Sequence, residues 1–273
     1  QPKTQNIMLK ISAFIIAKNE ALQIARAISS IKDIADEIIV IDSGSTDDTV
    51  AIAKKLGANV VFNEWPGYVA QKSFGEQLCK HDWILNIDAD EELPPELQAE
   101  IKQQFSSKDY DNYKAYDINF VILHRSDKHA RFLAPANRFI RIYNRKFCSF
   151  ANTKNYTTRD AVTFNHDVDD TKVFKLKHPA YHRSGTSIVQ LVNKANFYSS
   201  EQAKDMVSIG RSLSYARILF ELPLCFMKAF FIRRYFVFGF DGFVDSIIFA
   251  FARFMRFAKA RELINLRDEK REK

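Results

Sequence analysis

A chain of 273 residues with 47% apolar and 13% aromatic side chains can bury a sizeable core, which excludes a disordered or low-complexity protein. The net charge of +7 is uneven: from Ala203 onward 14 Lys and Arg face 8 Asp and Glu, an asymmetry that points to an anionic partner surface. Three cysteines, Cys79, Cys148 and Cys225, are odd in number and lack metal-ligand spacing, so they indicate neither a disulfide framework nor a zinc site and suit a reducing cytoplasm.

Residues 1–7, ahead of Met8, read as a dispensable leader. The apolar run Ile11–Ala17 is too short to span a bilayer and is followed by Lys18, Asn19 and Glu20, so it reads as a strand and not as a signal peptide. Further strands are predicted at Glu37–Asp42, Asn59–Phe62 and Trp83–Asp88, separated by helical periodicity at 20–31 and 47–56. The second helix has Ser45 or Thr46 as its expected N-cap and Gly57 as its stop. Pro94 and Pro95 open another helix to about residue 105. This alternation is the signature of an α/β domain on a largely parallel sheet. The runs 116–123 and 138–143 read as longer strands in an antiparallel extension. Helix returns at 184–206, and the remainder is helical and rich in Phe, Ile and Arg.

Ligands of open α/β sheets sit at the carboxyl ends of the strands, so the polar residues there are the first candidates. They are Ala17-Lys18-Asn19-Glu20, Asp42-Ser43-Gly44-Ser45-Thr46-Asp47-Asp48 and Asp88-Ala89-Asp90-Glu91. Asp88 and Asp90, two apart, place both carboxylates on one side of the chain, an arrangement that suits Mg2+ or Mn2+ shared with a substrate phosphate. Asp42 reads as a ligand contact, as a turn residue with Gly44 supplying flexibility and Ser45-x-x-Asp48 forming a helix cap, or as both at once. With eight glycines the chain carries no G-x-G-x-x-G and no G-x-x-x-x-G-K-[ST], which excludes a dinucleotide fingerprint and a P-loop.

The ordered set FIIAKNE, IIVIDSGSTDDT, WPGYVAQKSFGEQL and WILNIDADEEL resembles the N-terminal half of family 2 glycosyltransferases with the GT-A fold, and is similar in particular to bacterial lipopolysaccharide-core β-glucosyltransferases. The resemblance implies a Rossmann-like mixed sheet with flanking helices, followed by a C-terminal helical region. It implies that Ala17, Asn19 and Glu20 line the nucleoside pocket, that Asp42 contacts uracil, that Gln71 and Lys72 lie beside the donor, and that Asp88 and Asp90 bind the metal, with Asp88 also at the nucleotide-sugar. The alternative for Lys72 is an exposed helix lysine, and for Glu91 a cap on the following helix. N-H-D at 165–167 falls where relatives carry the general base, which makes Asp167 the candidate, with Asp169 and Asp170 as competitors. Arg138 and Arg141 resemble an acceptor-side arginine pair, but their odd spacing sends them to opposite faces of a regular strand unless a bulge intervenes. His166, His178 and His182 are candidates to line the site, but their spacing matches no standard zinc motif, which disfavours a metal role for them.

From 213 to 266 charges interrupt every apolar stretch well short of the ~20 residues that a spanning helix requires. Aromatics interleaved with Lys and Arg suggest helices lying in a membrane interface, or else packed on the catalytic domain. The aromatics follow helical stripes and no basic sheet or groove, which disfavours nucleic acid as a partner. The expected organisation is a GT-A domain at 8–202 and an amphipathic membrane-association region at 203–273. The expected activity is inverting transfer of glucose from a UDP-sugar to a lipopolysaccharide core or related glycolipid at the cytoplasmic, inner face of the cell membrane. A polyprenyl-phosphate acceptor and a non-catalytic nucleotide-sugar-binding scaffold are the alternatives.

Overall fold

The run Ile11–Ala17 forms β1, and all seven of its residues are buried. In the computed structural model, which describes residues 10–106, 110, 112–125, 127–150, 162–164, 172–183, 187–210 and 214–269, it is flanked in parallel by β2 (Glu37–Asp42) and β4 (Trp83–Asp88). A strand covered on both faces has no solvent side, which is why its sequence is continuously apolar. β3 (Asn59–Phe62) extends the parallel part beyond β2.

On the other side of β4 the sheet turns antiparallel through β7 (Ala136–Asn144) and β6 (Ala115–Ile122), which carries β10 (Val173–Lys175) on its flank. The short β5 (Glu91–Glu92) and β11 (Ala180–His182) complete the order β3-β2-β1-β4-β7-β6-β11-β5. This is a mixed sheet of GT-A type. β8 (Cys148–Phe150) and β9 (Val162–Phe164) pair separately.

The period of two splits β1 between two cores. Ala13 and Ile15 pack with α1 (Ile24–Ile31) and α4 (Pro95–Ser106), while Phe14 and Ile16 pack with Ile39, Ile41, Tyr143 and Phe150. Helix α3 (Tyr68–Leu78) presses on the second face at Gly75, where an added Cβ would lie 2.7 Å from Phe14 and 2.8 Å from Ile41. That close approach brings Gln71 and Lys72, one turn earlier, over the strand ends.

The four parallel strands coincide with the sequence expectation, and the helix starts differ. α1 begins at Ile24 because Asn19 takes a positive φ of 57° and residues 21–23 form a turn. α2 (Thr49–Lys55) begins after Asp48, and neither Ser45 nor Thr46 caps it. The Ser45 hydroxyl is spent on Asp42, and the Thr46 N–H donates to Asn19 Oδ1. Gly57, at φ 90°, stops the helix as expected.

By compactness the chain divides into one unit of Gln1–Val121 with Ala136–His182 and a second of Ile122–Pro135 with Arg183–Lys273. The second contains α5 (Ile188–Ser208), α6 (Tyr215–Met227) and the 30-residue α7 (Phe240–Glu269). Its core is small, centred on Ala203, Met206, Phe257 and Ala260. Segment 122–135 is tied into it by Arg125 on Asp245 at 2.9 Å and by Arg131, which donates to the Val237 carbonyl. Among the described residues no helix is long and apolar enough to cross a membrane.

Candidate active site

The register sets Ile16 opposite Asp88 and Ala17 opposite Asp42, so the three polar strand ends meet at one edge of the sheet. Asn19 braces the first two: its N–H donates to Ser45 Oγ at 2.9 Å and its Oδ1 accepts from the Thr46 N–H at 2.8 Å. The Glu20 N–H donates to Thr49 Oγ1, and the Ala21 N–H to Asp47. Asn tolerates the left-handed conformation that this crossing of loops requires.

Asp42 is buried, and both its oxygens are engaged in the turn, accepting from the Gly44 and Ser45 N–H groups and the Ser45 hydroxyl. Asp42 is thus a turn residue in this structure. Gln71 is also fully buried, donating to Ser43 Oγ and accepting from the Asn63 amide, so it ties α3 to the segments that follow β2 and β3.

The alternative of an exposed helix lysine does not hold for Lys72. Its side chain is 0% exposed, and Nζ lies 2.8 Å from Asp88 Oδ1. Arg141 meets the other Asp88 oxygen at 2.8 Å and Glu91 Oε1 at 2.5 Å. Burial alone would raise the Asp88 pKa, but Lys72 and Arg141 overcome it and hold the carboxyl well below the usual range. Burial keeps Glu91 above that range despite Arg141. Glu91 does not cap α4: it faces back into this cluster, where Oε2 accepts the Asp88 N–H at 2.9 Å.

Arg141 reaches the site because the β6–β7 ladder shifts register there. Tyr116 pairs with Ile142 and Asp117 with Ile140, which leaves Arg141 as the extra residue of a bulge. Arg138 does not join it, being held by the Asp117 carboxylate at 2.8 Å and by the carbonyls of Asp117 and Leu176.

Asp90 points elsewhere, with Oδ2 3.4 Å from His182 Nε2. β11 pairs with β5 and sets His182 opposite Glu91, so a residue about ninety positions downstream arrives beside the D-A-D motif. Burial would lower the His182 pKa, but Asp90 first, then Glu91 and Asp88, raise it to about 9. Of the other candidate histidines, His178 is bound to Glu100 at 2.9 Å, outside this cluster. His166, Asp167, Asp169 and Asp170 lie outside the described residues. The sequence placed His182 among three candidates without a partner, since no local spacing links it to Asp90.

Among the described residues no three His, Cys, Asp or Glu side chains gather closely enough to enclose a metal ion by themselves. One carboxylate and one imidazole, Asp90 and His182, are a donor set that fits a divalent ion completing its coordination with water and substrate oxygens. Asp88, neutralised by two cations, has less charge to offer.

Comparison with known proteins bears on the family. Residues 12–171, more than half of the chain, match the family model described as glycosyl transferase family 2. A Rickettsia prowazekii protein named as an uncharacterized glycosyltransferase is 63% identical over 94% of this chain and 88% of its own length. The lipopolysaccharide core biosynthesis glycosyltransferase LpsC of Rhizobium meliloti is 26% identical over 92% of each chain. The solved glucosyl-3-phosphoglycerate synthase of Mycobacterium tuberculosis, in complex with Mn2+, UDP and glucosyl-3-phosphoglycerate, is 26% identical with a TM-score of 0.33, covering 43% of this chain and 45% of that one. From the family match and the Rickettsia relative, the chain belongs to glycosyl transferase family 2 and is a glycosyltransferase.

Proposed function

We propose that this glycosyltransferase is inverting and metal-dependent, moving glucose from a UDP-sugar to a lipopolysaccharide core or related glycolipid presented at the inner face of the cell membrane. The observation that carries the reading is the Asp90–His182 pair beside the Lys72–Asp88–Arg141 cluster at the strand ends. Asp90 and His182 would hold Mn2+ or Mg2+, with His182 giving up its proton. When bound, the ion supplies positive charge against the departing diphosphate.

Lys72 and Arg141 sit where they add to that charge, in a site shielded enough for each cation to count. Ala17, Asn19, Glu20 and Asp42 shape the nucleoside end, with Gln71 beneath them. Asp167 serves as the base that takes the proton of the acceptor hydroxyl, a role typically worth about 10²–10⁴ in rate. Direct displacement on an α-linked donor then gives a β-linkage.

The likeness to LpsC supports the acceptor class. The membrane placement is supported by the exposed Leu219, Leu224, Ile232 and Phe240, each 65–79% accessible, within a basic helical segment. The test is a panel of UDP-, GDP- and dTDP-sugars with Mn2+, Mg2+ or EDTA, scored for donor hydrolysis and thermal stabilisation. UDP-glucose with metal should give the strongest response, and full activity in EDTA or a preference for another nucleotide overturns the proposal.

A further inference from the structure

The C-terminal unit holds a cavity of about 250 Å³ between α5, α7 and Tyr235. Leu191, Ala195, Ile248 and Phe249 give it an apolar wall, while Gln202 and Arg253 give it a polar one. Two further cationic side chains, Arg233 and Arg256, lie near Arg253 without being on the lining themselves. Arg233 and Arg253 both lie over the Phe249 ring, 4.5 and 5.1 Å from its centroid. Arg256, one turn beyond Arg253, has a buried Nε without a hydrogen-bond partner.

Against these three guanidiniums stands Glu221, which is engaged by Arg256 at 2.6 Å. The hydrogen-bond partner of Arg253 is the neutral amide of Gln202 at 3.3 Å, and Asp245, also on the lining, is paired with Arg125. Burial first, then the like charges of Arg256 and Arg233, pull the Arg253 pKa below its ordinary value. Arg253 and Arg256 are partly shielded from solvent, with Arg233 exposed near them; guanidiniums crowded in this way with few carboxylates are complementary to an anion, and a guanidinium fork suits phosphate geometry. A free anion has no use for the apolar wall, whereas an anion carried on a hydrocarbon uses both.

We propose that this cavity binds a phosphate-bearing amphiphile, its phosphate against Arg253 and the first carbons of its chain against Leu191, Ala195, Ile248 and Phe249. The volume is below the ~300–1,000 Å³ of sites that enclose a drug-sized ligand, so the remainder of a longer chain lies outside it. The site uses none of the residues assigned to donor binding and stands whether or not the donor is UDP-glucose.

Calorimetry on the full chain, without sugar donor, tests it with dihexanoyl phosphatidic acid below its micellar concentration, dihexanoylglycerol and inorganic phosphate. Saturable one-to-one binding of the phosphatidic acid is expected, at least tenfold tighter than either other probe. Arg253→Gln should weaken it at least tenfold, Arg253→Lys much less, and Ala195→Leu, which fills the cavity and leaves the arginines in place, at least tenfold. Should Arg253→Gln not fold, Ala195→Leu reads the same question. No saturable binding, equal binding of inorganic phosphate, or wild-type affinity in the folded variants overturns the proposal.

Discussion

Lys72 on α3 and Asp88 at the end of β4 are joined across 2.8 Å with the lysine wholly shielded from solvent. A cation buried on a carboxylate is costly to leave half-made: removing one partner of a buried pair takes about 3–5 kcal/mol, and Arg141, which stays on Asp88, brings the expected loss for Lys72→Met to roughly 2 kcal/mol. Donor hydrolysis should fall by about 10²-fold, the usual scale for losing one preorganised charge. The double variant Lys72→Met/Asp88→Asn should regain stability in urea but not activity. Wild-type hydrolysis by Lys72→Met would remove the lysine from the chemistry.

Asp90→Asn and His182→Ala should each strongly reduce transfer while leaving the fold intact, because both weaken the candidate metal site. Product formation titrated against Mn2+ distinguishes them from bystanders: residual activity in either should require at least tenfold more metal. Unchanged Mn2+ dependence would assign the pair a purely structural role.

Asp167→Asn should leave UDP affinity within about twofold and reduce turnover by 10²-fold or more, since a general base acts in the transition state and not in donor recognition. Calorimetry for UDP run beside a transfer assay separates the two effects. Retained turnover in Asp167→Asn together with its loss in Asp169→Asn or Asp170→Asn reassigns the base.

Replacing Leu219, Leu224 and Ile232 together by Ser removes apolar groups that are at least 65% exposed, so it should leave the melting temperature within a few degrees. Co-sedimentation with anionic vesicles should nevertheless fall several-fold, and binding by the unaltered protein should weaken with salt, each basic residue near such a surface being worth about 1 kcal/mol. Equal sedimentation of both proteins would return this face to a protein contact.

Glu100 supplies a pH test away from the site. Burial would raise its pKa, but the N–H groups of His178 and Lys177 and the His178 ring outweigh burial and lower it. A folded-state pKa below the unfolded value of about 4.3 gives stability that is present above that value and lost as pH falls through the folded one. The melting temperature should therefore drop between pH 5 and 3, and less steeply for Glu100→Gln. Parallel curves would show that the carboxylate is not the titrating group.

The parallel strands were legible to the residue: β1, β2 and β4 are largely buried and so read as apolar runs, β3 is a short β-branched run at the exposed edge, and the polar ends announce where ligands gather. The resemblance over Leu9 to Leu97 likewise carried the family. The roles of individual side chains inside the motifs were less legible: Ser45 reads as a cap and is a brace for Asp42, and Glu91 reads as a cap and is a partner of Arg141.

Three features belong to tertiary structure alone. Lys72 looks like any helix lysine until Gly75 lets α3 sink onto Phe14 and Ile41. Arg141 follows strand alternation until a bulge re-aims it, and His182 has no relation to Asp90 until β11 pairs with β5. Local periodicity and propensity act over a few residues and so determined the elements and the edge of the sheet where chemistry sits. The pairing of charges at that edge depends on register and close approach between segments far apart in the chain, and only the folded sheet decides those.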